Sequence, residues 1–144
     1  MTGTRLRAPF DLRCGALLID YILLVSLVVL GTLFARMLGG GARTAGTSAE
    51  TAAIALAIVV ALLNFGVLPG LTGFTLGKWA AGLRIQRVTG GNPGIGRAFL
   101  RHFIGYPLSL VTLGIGFLLA ITSVQGRGLH DMIAGTVVVR EGSL

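Results

Sequence analysis

The sequence reads as an all-α membrane protein, a small bundle of two or three transmembrane helices with a short cytoplasmic β pairing. Three observations predict this. Apolar runs at about 14–34, 52–71 and 100–124 are each long enough to cross a ~30 Å hydrocarbon layer, which takes about 20 residues. Charged residues make up only 12% of the chain and hydrophobic ones 53%, with a mean hydropathy of +0.86; a soluble domain carries about 25% charge. The twelve basic residues, set against five acids for a net charge of +7, gather at the ends of the apolar runs. There they suit anionic lipid headgroups better than nucleic acid. The 144 residues suit a single domain, 1–144.

The first run, 14–34, carries one charge, Asp20. It is longer than the apolar stretch of a cleaved signal peptide, and no small-residue cleavage site follows in "LFARML", so it reads as a retained anchor. A carboxylate at a helix centre costs roughly 2.5–3.5 kcal/mol on insertion scales. Asp20 should therefore face the protein interior and pair with a basic group, Arg13 or Lys78 at the cytoplasmic edge; Asn64 is a further candidate partner. Arg13 and Asp20, seven residues apart, leave the same helix face and form a polar stripe, with a separation of ~10 Å along the axis. The structural reading is a group that fixes the bundle; the functional reading is a proton or cation site. Cys14, the sole cysteine, reads as a small packing residue, although its position would allow acylation. The following Gly-, Thr- and Ala-rich stretch, "RMLGGGARTAGTSAET", reads as a mobile loop.

The second run, 52–71, is interrupted by Asn64 and Pro69. Gly66, Gly70, Gly73 and Gly77 follow at spacings of three or four. This is a small-residue stripe at which another helix can approach closely, and it could supply a homo-oligomer contact. "GFTLGK", residues 73–78, has the wrong spacing for a phosphate loop, with three residues between the glycines and Trp79 after the lysine.

The segment that follows, up to Arg101, contains Lys78, Arg84, Arg87, Arg97 and Arg101 and no acid. By the positive-inside rule it is cytoplasmic, and two intervening spans then put the N-terminus on the same side. Arg87, Arg97 and Arg101 are candidate headgroup contacts. The third run, 100–124, is broken by Gly105, Pro107, Gly114 and Gly116. It is either one kinked span or two short helices forming a re-entrant hairpin. "GLRIQRV" and "GTVVVRE" are both strand-like. If 83–88 pairs with 136–140, both ends of the third run lie on one side, which favours the hairpin and a cytoplasmic C-terminus.

"LHD", residues 129–131, lacks the surrounding ligands of a metal site, and His102 is the only other histidine. No Ser/His/Asp elbow or paired-carboxylate cleft is present. The expectation is a protein that is not an enzyme and uses no cofactor or metal.

These residues together resemble the RDD family of small membrane proteins, named for one arginine and two aspartates. Arg13 and Asp20 look like the arginine and the first aspartate. "GFTLGKWAAGLR" (73–84), "AFLR" (98–101) and "LHDMIAGTVVV" (129–139) look like the later motifs, so the resemblance covers most of the chain. It marks Lys78, Arg84 and His130 as signature positions and implies Asp131 as the second aspartate. Trp79 departs from the pattern, since many relatives have a basic residue there. The resemblance implies a multi-pass protein of a bacterial inner (cell) membrane, with activity largely unknown and a proposed part in transport. Some relatives carry the domain beside other membrane components, including lipid-import systems of the Mce type. Two functions are open: an accessory or assembly subunit of a larger membrane complex, which small size and missing catalytic groups favour, or a proton- or cation-coupled transporter acting as a homo-oligomer, which the intramembrane acid favours.

Overall fold

The computed structural model describes residues 7–38, 48–112, 114–124 and 126–141; most of the Gly-rich loop, 39–47, lies outside them. Helix α1 spans Phe10–Leu38. Pro9 stands just before it and no proline falls within it, so nothing interrupts its hydrogen-bond ladder. It extends about a turn beyond the predicted run at each end. Helix α2, Ser48–Leu62, passes through a π-helical turn, Leu63–Val67, into α3, Leu68–Thr72. Pro69 lies in the first turn of α3. The wider π turn ahead of it takes up the donor and space that proline denies a regular helix. The third segment repeats the device: α5, Ile95–Phe99, a π-helical stretch, Leu100–Gly105, and then α6, Tyr106–Val111, with Pro107 in its first turn.

Both α1 and the continuous helix Ser48–Thr72 are long and apolar enough to cross a membrane. Their burial pattern is inverted relative to a soluble helix. The α1 residues that the rest of the chain buries are small or polar, Ala16, Asp20 and Ala35, whereas Leu18, Ile22, Val25, Leu30 and Phe34 stay exposed. That is the pattern expected where the surroundings are as apolar as the side chains.

Gly73, with φ +81°, ends α3 in a left-handed turn, and Thr75 caps the short helix α4, Leu76–Ala80. Strand β1, Leu83–Arg87, pairs antiparallel with β2, Thr136–Arg140, from Leu83 opposite Arg140 to Arg87 opposite Thr136. This is the expected pairing, one residue shorter at its end. The N-terminal segment joins it, with Ala8 N–H donating to Val138 O at 3.3 Å. Leu83, Ile85 and Val138 close against Ala8 and Ala16 to form the apolar core. Between the strands, α6 and α7, Ile115–Thr122, bend by 100°, and α8, Leu129–Ala134, leads into β2. A bend of this size fits both readings open for the third run, a broken span and a re-entrant hairpin, and the strands that flank the segment pair with each other.

The glycine stripe marks close approach by other helices, as its spacing predicts, and the approach found is within the chain. A Cβ at Gly66 would lie 2.3 Å from the Phe99 ring, at Gly70 2.5 Å from the Ile95 backbone, and at Gly77 2.0 Å from Ala16 O. The helix ends at Gly73, so the glycines do not form one face. They let α5 and α1 approach within the chain, and all four are buried, which takes them away from a second copy.

Candidate functional site

Two buried polar clusters sit where these elements meet. The first surrounds Asp20, which is 1% exposed. Its carboxylate accepts hydrogen bonds from Asn64 Nδ2 at 2.9 Å, Thr75 Oγ1 at 2.5 Å and the Gly77 main-chain N–H at 2.8 Å. Asn64 is turned inward by the π-helical turn, and its Oδ1 accepts from Leu76 N–H at 2.9 Å. One carboxylate thus ties α1 to the second span and to the start of α4. The interior placement and the Asn64 partner agree with the sequence reading. The basic partner does not: among the described residues neither Arg13 nor Lys78 forms an ion pair with Asp20. Three neutral donors meet its oxygens instead, as a buried polar group requires.

The second cluster surrounds Asp131, which is 0% exposed. Arg13 and Arg101 both bind its carboxylate directly, Gly128 N–H donates to it at 3.2 Å, and Arg101 also donates to Thr136 Oγ1 at 2.9 Å. Arg13 additionally donates to Gly126 O. So Arg13 does not continue a stripe toward Asp20; it crosses to the C-terminal elements and fastens α1 to α8. Arg101 likewise sits inside the protein at 1% exposure, which takes it away from the headgroup contact expected of it. Burial pushes the Asp131 carboxyl up, but the surrounding cations, Arg101 foremost, outweigh it and hold it well below the usual carboxylate range. His130 Nε2 lies 3.6 Å from Asp131. Burial lowers its imidazole to about 3, so near neutral pH this contact joins a carboxylate to a neutral ring. The ring packs on Tyr106 and Phe117, with centroids 4.4 and 5.2 Å away.

A cavity of about 30 Å³ opens between α1, α4 and the bent third segment, lined by Arg13, Lys78, Arg101, Tyr106 and His130 with Phe10, Leu17 and Phe117. Lys78 is 2% exposed, and among the described residues its Nζ has no hydrogen-bond partner. The remaining signature cations lie elsewhere. Arg84 Nη2 donates to Asn92 Oδ1 at 3.0 Å, and its guanidinium lies over Phe74 at 5.2 Å. Arg87 donates to Asn92 O at 2.7 Å. Both Arg87 and Arg97 are exposed, as headgroup contacts would be. Cys14 is exposed rather than packed. Among the described residues, no three His, Cys, Asp or Glu side chains group closely enough to hold a metal ion.

The sequence reading missed Thr75, Tyr106 and Thr136. Thr75 has a local signal, because a threonine before a short apolar turn is an N-cap.

The fold and these clusters define a class: a small helical protein with helices capable of crossing a membrane, held together by two buried aspartates, one of them bound by two arginines. Its sequence profile is that of the RDD family, matched over residues 7–135, and the chain belongs to that family. It is similar to "Uncharacterized protein YckC" of Bacillus subtilis (strain 168), 31% identical over 135 residues, or 91% of this chain and 83% of that protein. No solved structure matches.

Proposed function

We propose that the chain is a multi-pass protein of a bacterial inner (cell) membrane that serves as an accessory or assembly subunit of a larger membrane complex, not as an enzyme. The observation that carries this is the commitment of both buried carboxylates. Asp20 is taken up by three hydrogen bonds and Asp131 by two arginines. A proton- or cation-coupled transporter needs an acid free to exchange its partner. The cavity beside these groups is lined by Arg13, Lys78 and Arg101, which repel a cation. The apolar faces of α1 and α2, uncovered within the chain, are available to lipid and to partner helices.

The orientation we propose places the N-terminus, the loop 71–101 and β2 in the cytoplasm. Its support is the basic loop together with the joining of Ala8, β1 and β2 in one place. The bent third segment then enters and leaves from that side without crossing. The exposed Arg87 and Arg97 would meet anionic headgroups there, at about 1 kcal/mol each.

Purification of a tagged chain from its native membrane in mild detergent tests the role. A stoichiometric complex with other membrane chains is the expected result. Recovery only as a homo-oligomer that carries proton- or sodium-dependent flux in vesicles would contradict it.

A further inference from the structure

We propose that the cavity between α1, α4 and the bent third segment is a binding site for a phosphate oxyanion, with Lys78 as its anchoring cation. The inference rests on the membrane placement above. It starts from an uncompensated charge. Lys78 is 2% exposed, and its Nζ has no partner among the described residues. An ammonium taken out of water without a partner is strongly unfavourable, so a group beyond the described residues is needed to meet it, and a bound ligand supplies one. Arg101 lines the same cavity and leaves its Nε unpartnered.

Charge identifies the kind of group. Arg13, Lys78 and Arg101 line this space, no carboxylate among the described residues does, and Asp131 behind it is bound by the two arginines. His130 adds no charge near neutral pH. Even when Asp20 is set against the cations, one positive charge remains. A water could satisfy a hydrogen bond but not that charge; a phosphodiester carries one negative charge and acceptor oxygens. Size sets how it enters. About 30 Å³ is room for one water-sized group, so a single phosphate oxygen reaches Lys78 and the rest of the group stays in the mouth. The lining includes the partly exposed Phe10, Leu17 and Phe117, apolar walls that suit the glycerol and acyl portions of a phospholipid better than a free ion.

The test uses the full chain, purified in nonionic detergent and depleted of lipid. Phosphatidylglycerol should bind at one molecule per chain by native mass spectrometry and raise the thermal midpoint saturably, whereas diacylglycerol, which lacks the phosphate, should not. Lys78→Met should weaken binding roughly tenfold or more, and Lys78→Arg should keep it. Without lipid, Lys78→Met should melt no lower than wild type, since it removes an uncompensated buried charge. Inorganic phosphate serves as the second arm: Lys78-dependent protection by it equal to that by the lipid supports the oxyanion site and assigns it to soluble phosphate, while protection by the lipid alone assigns it to the membrane. Unchanged lipid affinity in Lys78→Met, equal protection by diacylglycerol, or failure of lipid-free Lys78→Met to fold would each overturn the site. Alkaline carbonate extraction reads the membrane placement separately. A chain that stays in the membrane fraction but lacks the Lys78 effect loses only the site; release into the supernatant defeats the placement.

Discussion

Asp20 receives its three donors from the second span, from the cap of α4 and from the α4 main chain. Replacing it by Asn leaves one acceptor oxygen and turns an amide toward groups that are themselves donors. Asp20→Asn should cost about 1–3 kcal/mol, the usual penalty for buried groups left unsatisfied, seen as a lower thermal midpoint in detergent. Asp131→Asn should cost more, about 3–5 kcal/mol, because Arg13 and Arg101 would lose their counter-charge while staying buried. Acid should act in the same direction. His130 is held at about 3 against an ordinary value near 6.5, so the unfolded chain takes up a proton between those values and the folded chain does not. Its contribution is fully present above about pH 6.5 and is lost as pH falls, by about 1 kcal/mol per unit. Asp131, also depressed, adds a loss that begins below about pH 4. Melting curves from pH 7.5 to 4.5 should fall for wild type and fall less steeply for His130→Phe. The interior position of Asp20 could be read from the sequence, since a carboxylate in an apolar run must face protein. Its partners could not, because Thr75 arrives only after the chain reverses at Gly73. Nor could the partner of Arg13, which stands 118 residues away.

At the scale of elements, the glycines separate hard contacts from soft ones. A Cβ at Gly77 meets the Ala16 carbonyl and one at Gly70 meets the backbone of Ile95, whereas at Gly66 it meets the ring of Phe99. Backbone cannot give way, but a ring can turn. Gly77→Ala and Gly70→Ala should each lose about 1–3 kcal/mol or more, and Gly66→Ala less, as measured by thermal unfolding in detergent. Equal effects at all three would contradict this order. The spacing of the glycines announced close approach but not the partner, since helical spacing cannot reveal that the helix stops at Thr72. The β pairing was legible because β-branched "TVVV" and alternating "LRIQR" are local signals. The π-helical turns were not, because they answer to Pro69 and Pro107 only in the context of packing.

For the whole molecule, the meeting of Ala8, β1 and β2 supports the proposed orientation, in which both termini share the side of the basic loop. Single cysteines placed at Thr89 and Glu141 in a Cys14→Ser background should both resist a membrane-impermeant reagent in intact cells and react after permeabilisation. Labelling of Glu141→Cys alone in intact cells would mean that the third segment crosses. The central claim is that the two aspartates act as fasteners, with Asp20 joining the two long helices and α4, and Asp131, through Arg13 and Arg101, joining α1 to the bent third segment. It is tested most directly by measuring thermal stability and proton- or sodium-dependent flux side by side for Asp20→Asn and Asp131→Asn in reconstituted vesicles. Loss of stability in both, with no such flux from the wild-type chain to lose, is the predicted result. Wild-type stability in both variants, together with abolition of a flux that the wild type shows, would contradict it.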